Sequence, residues 1–161
     1  MQGRAQGWLT PLFHSRFREV LVHASTRYSF VVPAYCLMPD HLYLVWMGLS
    51  RASDQHNGMK FLREQLAPAL RPHQFQHQAH DHVLRPAELE NEAFQRVCSY
   101  ILDNARVAGL VQRLEEWPYA GAIVPGYPAL HPLASDFWPL FWKLYSPALA
   151  PDAGNGQRPA I

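Results

Sequence analysis

Two strand-like runs separated by only two residues constrain this chain more than any other feature. Ser29–Met38 (SFVVPAYCLM) and His41–Met47 (HLYLVWM) are rich in β-branched and aromatic residues, and only Pro39 and Asp40 lie between them. A parallel crossover needs a dozen or more residues, so the runs must fold back as an antiparallel hairpin. Pro33 cannot donate to a ladder, which predicts an edge position or a bulge there.

Helical periodicity flanks the hairpin. From Phe13 to about Tyr28, the residues Phe13, Phe17, Val20, Leu21 and Ala24 recur on one face, with Ser15, Arg16, Arg18 and Glu19 between them. After the hairpin, Ser53 or Asp54 can cap a helix carrying Met59, Leu62 and Leu66, expected to run until Pro68 interferes. Its Lys60 and Arg63 are expected to share an exposed face. Phe75 to Leu84 reads as a short polar strand. Pro86 then suits the first turn of a third helix, from about Ala87 to Asp103, with Phe94, Val97, Cys98 and Ile101 as its core stripe and Gly109 as its stop signal.

The pattern of helix, strand, strand, helix, strand, helix predicts an α+β fold, an antiparallel sheet with helices packed on it. Compared with a ferredoxin-like unit, the first strand is lacking. Residues 1–12 read as an irregular amino terminus, 13–124 as the main domain, 125–146 as a carboxy-terminal extension that packs on the core, and 147–161 as a disordered tail.

Composition narrows the setting. Two cysteines, Cys36 and Cys98, lie in apolar runs without a CxxC spacing, which predicts reduced, buried thiols. No apolar run reaches a membrane span's length and no signal-peptide pattern opens the chain, so the expected compartment is the cytoplasm. A net charge of +1 excludes coating duplex DNA by bulk charge, and any nucleic-acid site must be local. His73, His77, His80 and His82 superficially resemble zinc ligands, but no cysteines accompany them and strand spacing divides them between two faces.

His41 and Tyr43, two apart on a strand, leave the same face of the sheet. Tyr100 and Asn104, one helical turn apart, project together from the edge of the Val97–Ile101 stripe.

MPDHLYLVW, in the setting AYCLMPDHLYLVWMG, resembles the hairpin signature of the single-tyrosine HUH transposases, in which His, a bulky apolar residue and a second His bind a divalent metal. His41 and Leu42 match, and Tyr43 stands where the second His is expected. DHVLR, a helix and then SYILDNARVAGLV resemble the second signature of the REP-associated tyrosine transposases. Tyr100, Ile101, Asn104, Ala108, Gly109, Leu110 and Val111 match, with Ala105 in place of a proline. The resemblance spans about residues 13–124.

The resemblance implies an HUH fold without its first strand, and a cytoplasmic enzyme, monomer or homodimer, that cuts and joins single-stranded DNA, with hairpin-forming repeats as its substrate. Tyr100 would be the nucleophile, forming a 5′-phosphotyrosine. His41, Asn104 and the degenerate Tyr43 would occupy the positions that bind Mg²⁺ or Mn²⁺. Lys60, Arg63, His82 and Arg85 are the expected DNA contacts. A neutral phenol is a poor ligand for a hard ion, so the alternative is a catalytically impaired descendant that binds single-stranded DNA or hairpins. MQGRAQGWLTPL does not read as the family's leading strand. Either the chain continues upstream of Met1 or that strand has been lost, and an unpaired edge is expected in its place.

Overall fold

A computed structural model describes residues 1–77, 84, 88 and 90–149, without the side chains of 147–149. The elements are α1 (Pro11–Tyr28), β1 (Phe30–Leu37), β2 (Leu42–Gly48), α2 (Gln55–Leu70), α3 (Asn91–Leu102), the single turn α4 (Asn104–Val107), β3 (Ala120–Ile123) and α5 (Phe137–Leu149). The fold is α+β, and among the described residues the antiparallel sheet has three strands in the order β2-β1-β3.

The hairpin forms as its spacing requires. Met38 N–H donates to the His41 carbonyl at 2.8 Å, closing the Pro39-Asp40 turn, and Leu37 pairs with Leu42 and Cys36 with Tyr43. β1 is the central strand, buried along its whole length. Its Pro33 sits in a bulge: one extra residue separates Val31 from Ala34 relative to β2, and Val32 from Tyr35 relative to β3. The bulge tolerates the missing N–H and also switches the side-chain parity of the strand. Val32, Tyr35 and Leu37 consequently face one layer, and Val31, Ala34 and Cys36 the other.

Helices cover both faces. On the first, Phe13, Phe17 and Leu21 of α1 and Leu62 and Leu66 of α2 pack against Val32, Tyr35 and Leu37. On the second, Phe94, Cys98 and Leu102 of α3 and Phe137 and Phe141 of α5 pack against Val31, Ala34, Val45 and Met47. Each such buried side chain contributes about 1.5–3 kcal/mol over its exposed state, so the helices are held mainly by these stripes.

Local signals set the helix ends. Thr10 Oγ1 accepts from Phe13 N–H at 3.1 Å with Pro11 at the first helical position, so α1 begins two residues before Phe13. Asp54 caps α2 by accepting from Asn57 N–H at 2.9 Å. α2 passes through Pro68 to Leu70, because a proline in the last turn forfeits only one hydrogen bond on an exposed side. α3 begins at Asn91 rather than near Ala87. Gly109, at φ 71°, ends the α3–α4 segment: its N–H bonds the Arg106 carbonyl while Leu110 N–H bonds that of Ala105, a Schellman arrangement.

The amino-terminal segment is more ordered than its sequence suggested. It carries a 3-10 turn at Gln2–Arg4, and Met1 and Trp8 are buried in the α1–α2 core. Phe75, Gln76 and His77 form no strand, and most of the polar strand expected to Leu84 lies outside the described residues. The third strand is β3, from a segment whose sequence gave no strand signal. Among the described residues, no helix is long and apolar enough to cross a membrane.

Candidate functional site

In β2 the odd-numbered side chains, Tyr43, Val45 and Met47, face α3. His41, just before the strand, shares that side: its ring meets Tyr43 edge-on, with centroids 4.9 Å apart. A carboxylate orients the imidazole. Asp40 Oδ1 lies 2.6 Å from His41 Nδ1, and Asp40 Oδ2 accepts from Arg4 Nε at 2.7 Å. Burial alone would push the Asp40 carboxyl up, but hydrogen bonds from His41 and Arg4, with their charges, hold it below the usual carboxylate range. An ionised Asp40 can only accept, so Nδ1 carries a proton, and in the neutral ring the Nε2 lone pair is left for a ligand. Carboxylate–imidazole pairs of this kind support metal-binding histidines.

Tyr100 lies in the last turn of α3 and is 66% exposed. It stands close enough to Tyr43 to act on that phenol: burial first, then the Tyr100 charge, pushes the Tyr43 hydroxyl above its ordinary pKa. Tyr43 is therefore neutral near pH 7. Asn104 opens α4, and its Nδ2 donates to the carbonyls of Tyr100 at 2.9 Å and Ile101 at 3.1 Å. These bonds satisfy the carbonyl end of α3 and leave Oδ1 as an acceptor turned away from them. His41, Tyr43, Tyr100 and Asn104 thus gather on one side of the sheet.

Ala105, where the resemblance expects proline, is fully buried against Cys36, Met38 and Tyr43. Burial pushes the Cys36 thiol up to about 11, against a smaller lowering by the nearby Ala105 N–H, a group that proline lacks. The substitution is therefore matched by a local contact.

The other expected DNA contacts are not assembled here. Lys60 and Arg63 belong to α2, on the opposite face of the sheet. Lys60 is exposed, whereas Arg63 is half-buried, sits over the Phe75 ring at 5.3 Å and donates to the Gln76 carbonyl. The expectation that the two share an exposed face is corrected accordingly. His82 and Arg85 lie outside the described residues, as do His80 and Asp81. Arg106 is paired with Asp103.

Sequence reasoning missed Arg4, whose contact with Asp40 spans the fold and left no local signal. Asp40 itself was legible as a neighbour of His41, though its orienting role was not.

The donor set decides what ion could be held. Among the described residues, no three His, Cys, Asp or Glu side chains converge as a metal site. By chemistry alone, His41 Nε2 and Asn104 Oδ1 are competent donors for a hard divalent ion and Tyr43 is a poor one. No family model, curated protein or solved structure matches the chain.

Proposed function

We propose that this chain cleaves and rejoins single-stranded DNA through Tyr100, in the manner of the REP-associated tyrosine transposases. The observation that carries the reading is the exposed Tyr100 phenol near Tyr43, whose ring in turn meets the carboxylate-oriented His41, with Asn104 one helical turn from Tyr100. The antiparallel sheet with helices on both faces is compatible with an HUH fold lacking its first strand.

In the proposed reaction, Tyr100 Oη attacks the phosphorus of the scissile diester. The O–P bond forms as the bond from phosphorus to the 3′ oxygen breaks; the phenol proton leaves to water, and the released 3′ oxygen takes one up. The product is a 5′-phosphotyrosine and a 3′-hydroxyl, and attack by a 3′-hydroxyl reverses the step and joins strands. His41 and Asn104 would hold Mg²⁺ or Mn²⁺, which when bound polarises a phosphate oxygen and favours in-line displacement. Asp40 and Arg4 keep the imidazole in its ligand tautomer, and the Nδ2 bonds of Asn104 fix its amide. The substrate class is hairpin-forming single-stranded repeats, the process DNA transposition, and the working unit a monomer or homodimer.

One observation favours a second reading. Tyr43 is held neutral where the chemistry calls for an imidazole, which fits a descendant that binds hairpin DNA without cutting it. Incubation with a single-stranded hairpin oligonucleotide and Mn²⁺ separates the two: the proposal expects a covalent adduct on a denaturing gel, lost in Tyr100→Phe. Binding without adduct favours the descendant, and an adduct that persists in Tyr100→Phe rules out Tyr100 as the nucleophile.

A further inference from the structure

On the opposite face of the sheet, α1 presents a guanidinium among polar rings. Arg18 Nη1 donates to Tyr35 Oη at 2.5 Å and to the Ala122 carbonyl at 3.5 Å, and its guanidinium carbon lies 5.9 Å from the Tyr35 ring centroid. His14 Nε2 lies 2.9 Å from the same Tyr35 oxygen, and its ring meets Tyr119 edge-on at 5.4 Å. His131, from the loop after β3, accepts at Nδ1 from Leu133 N–H at 3.3 Å, and its ring lies near the Ala120 carbonyl.

The charge balance of this group is uneven. Among the described residues, no carboxylate lies within ion-pair distance of Arg18; the neighbouring Arg16 takes Glu19. The rings around Arg18 are neutral. Burial first and the Arg18 charge second hold His14 down at about 4 and lower His131, and burial keeps the Tyr35 phenol protonated. Tyr35 can therefore donate to His14 Nε2 while accepting from Arg18, so its hydroxyl is satisfied internally. Arg18 is not: among the described residues its hydrogen bonds all use Nη1, which leaves the Nε–Nη2 edge, the fork that grips oxyanions in two parallel bonds. The guanidinium is also held in place. A Cβ at Gly121 of β3 would stand 2.9 Å from Tyr35 Oη and 3.2 Å from Arg18 Nη1, so the strand closes on the pair with no room to spare.

We propose that Arg18, with His14 beside it, is a binding site for a phosphate group, gripped by the free edge of a guanidinium already fixed by Tyr35 and β3. A half-buried cation without a counter-charge gains most from a divalent oxyanion, and one whose orientation is preset loses little entropy on binding. His14, whose Nε2 accepts from Tyr35, carries its proton on Nδ1 and adds that N–H as a second contact, and a bound anion opposes the Arg18 charge that, after burial, lowers its pKa. The site is separate from Tyr100, which lies across the sheet, and does not depend on the reading given for that residue.

The test is titration of the full chain with inorganic phosphate, followed by histidine-ring nuclear magnetic resonance against chloride at matched ionic strength. The proposal expects saturable, millimolar-range shifts at His14 and a His14 pKa raised by about one unit. Affinity should fall at least about tenfold in Arg18→Gln, and also fall in Arg18→Lys, which keeps the charge and loses the fork. Arg18→Lys carries the test should Arg18→Gln fail to fold. A parallel arm with oligothymidylate identifies the source: competition with phosphate marks a nucleic-acid backbone, and its absence marks a free phosphate compound. Histidine shifts no larger than those in chloride, or equal affinity in the wild type and Arg18→Lys, would overturn the proposal.

Discussion

Acidification should unfold this protein partly through one histidine. His14 has an ordinary pKa of 6.5 and is held at about 4, by burial first and by the Arg18 charge second. Because the folded form resists the proton that the unfolded chain accepts, His14 favours the folded state fully above pH 6.5, and that contribution is lost as pH falls from 6.5 toward 4. The gap of about 2.5 units (6.5 less about 4) is worth about 3 kcal/mol at 1.36 kcal/mol per unit. The ring is only partly buried, and solvent screening reduces the usable figure to roughly 1–2 kcal/mol. Urea denaturation followed by circular dichroism across this pH interval measures the effect. His14→Gln retains an acceptor for the Tyr35 hydroxyl and does not titrate, so its stability should fall less with acid than the wild type's by that amount. His131 is shifted the same way and is present in both proteins, so it cancels in the difference. Parallel stability curves for the two proteins would refute the reasoning.

Two further outcomes follow from named contacts. Gly121→Ala should lower stability by about 1–3 kcal/mol in chemical denaturation, because its methyl group would meet the hydroxyl of the buried Tyr35 at 2.9 Å; an unchanged midpoint would show that the Tyr35–Arg18 pair moves freely. Tyr43→His should raise Mn²⁺ affinity by at least about tenfold in calorimetric titration and increase adduct formation, whereas no change in either would show that position 43 is not a ligand position.

The elements that carry continuous patterns were readable in the sequence. The stripe from Phe13 to Ala24 marked α1, the two-residue spacer marked the hairpin, and Pro33 marked an edge or a bulge, of which the bulge is what forms. Packing of the Trp-rich extension was also readable: Trp138 and Trp142 stack at 5.9 Å, and both meet Phe94. β3 was not readable, because Ala-Gly-Ala-Ile carries neither alternation nor β-branched enrichment and owes its strand conformation to pairing with β1. The same holds for the site. His41 and Tyr43 share a face by strand periodicity, and Tyr100 and Asn104 by helical spacing, both of which are local rules. The contacts of Arg4 with Asp40 and of Arg18 with Tyr35 join residues far apart in the chain, and no local pattern encodes them. A His-Arg pair at i and i+4 on α1 was the one available hint of the latter.

The central claim is that Tyr100 becomes covalently joined to DNA. Mass spectrometry of the protein after reaction with a hairpin oligonucleotide and Mn²⁺, nuclease trimming and tryptic digestion tests it at the bond itself. Trypsin releases Tyr100 in the peptide VCSYILDNAR, between Arg96 and Arg106. The account predicts that this peptide carries a phosphonucleotide on Tyr100, attached through the 5′ phosphate. An uncut oligonucleotide with an unmodified peptide, or a phosphonucleotide on any other residue, would contradict it.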